Sequence, residues 1–138
     1  MENQSKDRLS DPSIRRIFEN KNFVFMSSLM EDGSPQVTPT WVDIEDNNIL
    51  INTAIGRVKH RNITRDPRVA LAIVDMNNPY NMVSIRGKVI DQVTGDEAEK
   101  HIDKMAKKYI GKDKYPYRTY DEKRVILKIA PISVFQIK

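Results

Sequence analysis

The fold is decided by residues 23–53, which read FVFMSSLMEDGSPQVTPTWVDIEDNNILINT. Residues 23–30 are apolar and partly aromatic or β-branched, residues 31–35 contain a Gly-Ser-Pro turn, and residues 36–44 resume an extended pattern. This combination predicts a β-hairpin. A second polar turn leads into residues 49–53, whose apolar run indicates a strand buried on both faces. The stretch therefore predicts a β-meander.

A short helix is predicted before this stretch. Ser10 or Asp11 can serve as its N-cap, and the following proline is favourable in a first helical turn. Ile14, Ile17 and Phe18 then fall on one helical face. We expect this face to pack on the sheet.

The middle of the chain alternates between helix and strand. Residues 57–66 lack strand alternation and end at a proline, so they predict a short basic helix. Residues 68–75 predict a strand, and residues 76–80, with their Asn-Asn-Pro content, predict a loop. Residues 82–93 predict a long, half-exposed strand, with Gly87 at a bulge or a close contact.

The last third predicts one long helix and the closing strands. Thr94 and Glu97 have capping-box spacing, an apolar stripe follows, and Gly111 ends the helix. Residues 124–130 and 132–137 predict two strands that a proline separates. A mainly antiparallel sheet with three helical interruptions favours a barrel over a doubly wound fold.

Composition limits the size and location of the protein. A chain of 138 residues, 39% hydrophobic and 30% charged, predicts a single globular domain over residues 1–138. The net charge of +4 is spread along the chain and does not indicate nucleic acid. The first ten residues are polar, and no later apolar run reaches membrane-spanning length. We therefore expect a cytoplasmic protein without a membrane partner.

Several kinds of chemistry are disfavoured by the residues present. The chain contains no cysteine, which excludes disulfides, thiolate nucleophiles and cysteine metal sites. His60 and His101 are predicted to be surface residues without metal-ligand spacing, so no metal is expected. The acidic residues fall mostly in turns or on the exposed face of the long helix, and no phosphate-binding glycine motif is present. Hydrolase, kinase and dinucleotide-dependent dehydrogenase functions are therefore disfavoured.

The residues from Asn52 to Pro67 form the best candidate site. A strand ends in polar side chains, Gly56 permits a tight turn, and Arg57 and Lys59 lie at the start of the predicted helix. Positive side chains and free backbone amides at a helix N-terminus suit a phosphate group. A solvated basic turn without a ligand is the alternative.

Several spaced motifs occur in a fixed order along the chain. They are Val37-Thr38-Pro39-Thr40-Trp41-Val42, Asn52-Thr53, Gly56-Arg57-x-Lys59-x-Arg61-Asn62, Arg65-Asp66-Pro67-Arg68-Val69, Asn78-Pro79-Tyr80 and Val83-x-Ile85-Arg86-Gly87. Together they resemble the pyridoxamine-phosphate-oxidase-like split-barrel superfamily. The resemblance runs from about Ile14 to the C-terminus and is nearest to the coenzyme F420-dependent branch.

The resemblance implies a six-stranded antiparallel Greek-key split barrel that forms a homodimer with two cofactor sites at its interface. It implies that Arg57 and Lys59 hold the phosphate and that Asn52 and Thr53 help at the ring or ribityl chain. It also implies that the ring is lined by Thr38, Pro39 and Thr40. The partner subunit would contribute Asn78, Pro79 and Tyr80. On residues alone, Pro39 and Trp41 could simply pack a strand.

The resemblance further implies an oxidoreductase in which coenzyme F420 passes a hydride to a small organic substrate. The alternatives are an FMN-dependent reductase or oxidase of the same fold, a non-catalytic cofactor carrier, and a basic barrel that binds nucleic acid. Pyridoxamine phosphate oxidase activity is disfavoured, because the chain ends Val134-Phe135-Gln136-Ile137-Lys138 without that enzyme's Arg and His motif. Tyr80 and Tyr117 are candidate proton donors.

Overall fold

The computed structural model describes residues 6–137. After a 3-10 helix at Lys6–Ser10, the elements are α1 Pro12–Glu19, β1 Val24–Leu29, β2 Pro35–Thr40, β3 Asp43–Glu45, β4 Asn48–Ala54, α2 Val58–Arg65, β5 Arg68–Asp75, β6 Asn78–Thr94, α3 Asp96–Ile110 and β7 Arg124–Ile137. Helix α1 is capped by Asp11, whose carboxylate accepts a hydrogen bond from Ser13 N at 2.9 Å. The predicted short helix and its cap are thereby confirmed.

The strands form one antiparallel sheet in the order β2-β1-β5-β6-β7-β4-β3. The predicted meander is interrupted, because β1 pairs with β5 and β4 pairs with β7. In the sheet order the edge strands are β2 and β3, which do not pair with each other in the part of the chain described. The sheet is therefore open and consistent with a split barrel, and it has seven strands where six were expected.

The additional strand arises from a break at Val42. Residues 36–44 were predicted as one strand, but β2 and β3 lie at opposite edges of the sheet. The Val42 N–H donates to the Tyr109 hydroxyl at 3.0 Å, and the Val42 carbonyl accepts from Lys108 Nζ at 2.8 Å. Side chains of α3 thus satisfy backbone groups that a strand partner would otherwise satisfy.

The main core lies on the inner side of this sheet. Buried side chains from β1, β4, β5, β6 and β7 form one cluster with the apolar face of α1, namely Ile14, Ile17 and Phe18. All seven residues of β4 are buried or half-buried, as its apolar run predicted. Gly87 is also explained, since β6 shifts register against β7 at this residue and a Cβ there would lie 2.7 Å from the Ala130 carbonyl oxygen.

Three local predictions are wrong. Residues 78–80 begin β6 and are not loop, because Asn78 pairs with Asp75. Thr94 is the last residue of β6, where it pairs with Val125, so α3 begins after Gly95 without a side-chain cap. The two predicted closing strands are one strand, β7, because the bulge at Gly87 accommodates a proline that cannot donate a ladder hydrogen bond.

No helix within residues 6–137 combines the length and the apolar character that crossing a membrane requires.

Candidate functional site

A cavity of about 670 Å³ lies between β2, the end of β4, the start of α2 and the loop that joins α3 to β7. We call it the large cavity. Its volume is within the range of about 300–1,000 Å³ that is usual for small-molecule and cofactor sites. It is lined by Phe23, Gln36, Thr38, Pro39, Thr40, Trp41, Asn52, Thr53, Gly56, Arg57, Val58, Lys59, Arg61, Ile102, Tyr115, Tyr117 and Arg124. Four of these residues are cations and none is a carboxylate, so the lining favours an anionic ligand.

The cationic part of the large cavity is built by the turn into α2. Gly56 has a φ of 92°, which permits the turn after β4, and Arg57 is the N-cap residue of α2. Lys59 follows in the first turn of that helix. Burial, together with the positive charges of Arg57 and Arg124, lowers the pKa of Lys59 to about 8. The amine therefore lies near two cations and, within the described residues, has no ion pair of its own, so a bound anion would relieve this cost.

Glu122 orients the two arginines of this region. Its carboxylate accepts from Arg57 Nη2 at 2.8 Å and from Arg124 Nη1 at 2.9 Å. Burial would raise the pKa of Glu122, but the hydrogen bonds from the two guanidinium groups outweigh it and leave the pKa below its ordinary value. Arg124 itself is only 3% exposed, and its guanidinium lies 5.1 Å from the centre of the Tyr115 ring.

Thr38 brings an unpaired polar atom to the large cavity. Its hydroxyl oxygen is buried and, among the side chains described, it is the buried polar atom without a hydrogen-bond partner. Buried hydroxyls normally find a partner, because leaving one unpaired costs roughly 1–3 kcal/mol. Thr38 therefore carries a spare hydrogen-bonding group on a residue that lines the large cavity.

Aromatic rings form another wall of the large cavity. Trp41 stacks on Tyr109 with 5.2 Å between ring centres and an angle of 3° between planes. The edge of Tyr115 meets Trp41 at 6.1 Å, and Tyr117 meets Tyr115 at 5.6 Å. A wall of this kind suits a planar ligand.

Seven of the ten predicted site residues line this one cavity: Thr38, Pro39, Thr40, Asn52, Thr53, Arg57 and Lys59. The other three, Asn78, Pro79 and Tyr80, do not line it and are exposed at the start of β6. Of the two candidate proton donors, Tyr117 lines the cavity, whereas Tyr80 is 79% exposed outside it.

The sequence did not single out several lining residues. Arg124 and Tyr115 carry no recognisable local signal, because Tyr115 enters the site through the loop between α3 and β7, and Arg124 enters it through the pairing of β7 with β4. Arg61 was not favoured as a ligand residue, yet it lines the large cavity.

The surface position predicted for His101 is wrong. Its imidazole is 8% exposed and lies between Asn52 and Asp43. Burial would raise the pKa of Asp43, but the hydrogen bond from His101 and the charge of Lys104 lower it to about 2. Within the described residues, no group of three or more histidine or acidic side chains is placed to hold a metal ion.

Comparison with known proteins identifies the class. The open antiparallel sheet, with its cationic, aromatic-walled cavity, is consistent with a split-barrel protein. The family model described as pyridoxamine 5'-phosphate oxidase matches residues 10–138, and the chain belongs to this family. Comparison with curated protein sequences gave no match.

Solved structures agree with the family. An F420 reductase is 26% identical with a TM-score of 0.76, over 88% of this chain and 94% of that one. A conserved hypothetical protein from Mycobacterium tuberculosis, Rv2991, is 21% identical with a TM-score of 0.75, over 93% and 84% of the two chains. A putative pyridoxamine 5'-phosphate oxidase from Listeria innocua is 16% identical with a TM-score of 0.70, over 91% and 95%. These similarities show that the chain shares the fold of these proteins.

Proposed function

We propose that the large cavity binds coenzyme F420 and that the chain is an oxidoreductase acting on a small organic substrate. The observation that carries the proposal is the joint presence, in one cavity, of the cations Arg57 and Lys59, the unpaired Thr38 hydroxyl and an aromatic wall. A phosphorylated, planar cofactor with polar ring edges satisfies all three.

The residues present fit such a cofactor. Arg57 and Lys59 would hold its phosphate through charge-assisted hydrogen bonds at the start of α2. The Thr38 hydroxyl would bond to a polar edge of the ring, with Pro39 and Thr40 beside it, and Asn52 and Thr53 would lie nearer the ribityl chain. The bound cofactor would supply the hydride-transfer chemistry, which explains why no nucleophile or acid–base pair stands out.

The choice of F420 over FMN has two supports. The similarity to an F420 reductase covers most of both chains. In addition, Arg61 and Arg124 line the cavity beside Arg57 and Lys59, so the site holds more positive charge than a single phosphate requires.

A homodimer with sites at its interface is part of the proposal. The outer face of the sheet carries a row of paired, mostly apolar or small residues that runs across five strands, namely Pro39, Phe25, Ala72, Ser84 and Phe135. Phe25 and Phe135 are 44% and 47% exposed in the single chain, as expected for residues that a second copy covers. In such a dimer, Asn78, Pro79 and Tyr80 would complete the partner's site.

Titration with each cofactor tests the proposed function. Trp41 is the single tryptophan and lines the large cavity, so its fluorescence reports binding. We expect saturable quenching by F420. Tight binding of FMN without binding of F420 would overturn the choice of cofactor, and binding of neither would overturn the function.

A paired variant tests the phosphate position. The double variant Arg57→Ala and Lys59→Ala should weaken binding by a few kcal/mol, because a hydrogen bond to a charged group contributes about 1.5–3 kcal/mol. The matched control is Arg68→Ala with Lys88→Ala, an exposed pair that faces across β5 and β6 outside the cavity. Equal affinity of the two double variants would contradict the assignment.

A further inference from the structure

A chain of buried hydrogen bonds leads from the large cavity to a second, smaller one. Arg124 Nε donates to Asn52 Oδ1 at 2.9 Å, Asn52 Nδ2 lies 3.1 Å from His101 Nδ1, and His101 Nε2 lies 3.0 Å from Asp43 Oδ2. All four residues are at most 9% exposed. The first two line the large cavity, and the last two line the small cavity, which has a volume of about 90 Å³.

The direction of every bond in this chain is determined by its fixed partners. The Ala98 carbonyl can only accept and the Arg124 guanidinium can only donate. Because Asn52 Nδ2 also donates to Ala98 O at 3.0 Å, its amide nitrogen must face His101, and its oxygen must face Arg124. His101 Nδ1 therefore accepts, and Nε2 carries the hydrogen that it donates to Asp43.

We propose that His101 is a positioning residue for the cofactor site. As a neutral imidazole with its hydrogen on Nε2, His101 orients the Asn52 amide, and this amide in turn orients the Arg124 guanidinium in the large cavity. The expected effect of His101 on cofactor binding rests on the proposed function. The hydrogen-bond chain itself does not, because it exists in the ligand-free protein.

Protonation of His101 is incompatible with this arrangement. A second N–H at Nδ1 would face the Asn52 amino group, which is also a donor. A flip of the Asn52 amide would place its oxygen opposite the new Nδ1–H. The same flip would place the amino group against Arg124 Nε–H and the oxygen against the Ala98 carbonyl. A charged His101 therefore breaks the bond between Asn52 and Arg124.

Other charged groups near His101 act on the same equilibrium. Asp43 from β3 accepts from its Nε2, and Lys104 from α3 also contacts Asp43, at 3.2 Å. The remaining charged groups that line the small cavity with it are Glu45, Glu97 and Lys128. Arg124 reaches the imidazole only through Asn52, so we expect the Asn52 contact to decide the effect of protonation.

Nuclear magnetic resonance on the ligand-free protein tests the chain directly. With ¹⁵N-labelled histidine there are two imidazoles, and His60→Gln identifies the signals of His101. We expect Nδ1 without hydrogen and Nε2 with hydrogen at neutral pH. We also expect the Arg124 Nε–H signal, identified by Arg124→Lys, to shift on acidification with the same midpoint as His101. A hydrogen on Nδ1 at neutral pH, or an Arg124 signal that does not follow His101, would overturn the proposal.

Cofactor titration of the variants tests the consequence for binding. In the wild type, affinity for F420 or FMN should fall by up to about tenfold per pH unit once His101 becomes charged. His101→Asn keeps an acceptor for Asn52 but has no ionisable group, so its affinity should not show this fall. Lys104→Met removes a cation that contacts Asp43 outside the chain, so the fall in acid should remain, with its midpoint displaced because Lys104 acts on the same equilibrium.

The two proposals fail in different ways. Loss of all cofactor binding at every pH, with the coupled His101 and Arg124 titration intact, would refute the proposed function and retain the positioning role. Binding with the same acid profile in wild type and His101→Asn would refute the positioning role and retain the function.

Discussion

Arg57 Nη2 lies 2.8 Å from Glu122 Oε2, so the guanidinium that is expected to hold a phosphate already has a carboxylate partner. Glu122→Gln removes the competing negative charge. Its one amide oxygen can accept from Arg124 Nη1, and the amino group that replaces Oε2 cannot accept, which releases Arg57. We expect cofactor affinity to rise about two- to fivefold, because a partly exposed ion pair contributes roughly 0.2–1 kcal/mol. Calorimetric titration measures the cofactor affinity, and Glu31→Gln in an exposed turn is the control. An unchanged or lower affinity would show that Glu122 does not compete with the ligand.

Lys59 should make binding depend on pH in the alkaline range. Because its pKa in the free protein is about 8, the amine is charged below that pH and becomes neutral above it. Affinity for a phosphorylated cofactor should fall as the pH rises through 8, with proton uptake on binding at that pH, and this alkaline fall is separate from the fall in acid expected from His101. Calorimetry at pH 8 in buffers of different ionisation enthalpy measures the uptake. Lys59→Arg stays charged throughout and should remove the uptake.

Gly87 should not tolerate a side chain. A Cβ at this position would lie 2.7 Å from the Ala130 carbonyl oxygen and 3.0 Å from Ile129 Cγ2, and a backbone oxygen cannot rotate away. Gly87→Ala should lower the free energy of unfolding by about 1–3 kcal/mol, as overpacking does elsewhere. Urea unfolding checks this, with Ser84→Ala on the exposed face of the same strand as the control. Equal stability of both variants would mean that β6 and β7 can separate locally at no cost.

Asp43 should stabilise the fold at neutral pH and lose that effect in acid. Its pKa is about 2 in the folded protein against an ordinary value of 3.8, so the contribution is complete above pH 3.8 and disappears as the pH falls through 2. The difference corresponds to about 2 kcal/mol. Asp43→Asn should therefore be less stable than the wild type at pH 7, and the gap should narrow between pH 4 and 2. A difference in stability between the wild type and Asp43→Asn that does not change with pH would show that the variant loses packing and not a charge interaction.

Local sequence signals predicted most of the elements. Apolar runs and turns located β1 and β4, the Asp11 cap located α1, and the proline after residue 66 located the end of α2. Such signals succeed because the residues that cause them are neighbours in the chain. The break at Val42 had no such signal, since its cause is the hydrogen bonds from Lys108 and Tyr109 on α3.

The candidate site divides in the same way. The turn through Gly56 to Arg57 and Lys59 could be recognised from sequence, because positive φ, helix start and charge are properties of one continuous segment. Arg124 joins this segment only because β4 pairs with β7, and His101 becomes a buried partner of Asn52 only because α3 packs over the end of β4. The sequence by itself thus determined the family and the candidate segment for phosphate binding. Tertiary structure alone decided which distant side chains complete the cavity, because long-range pairing sets their distances.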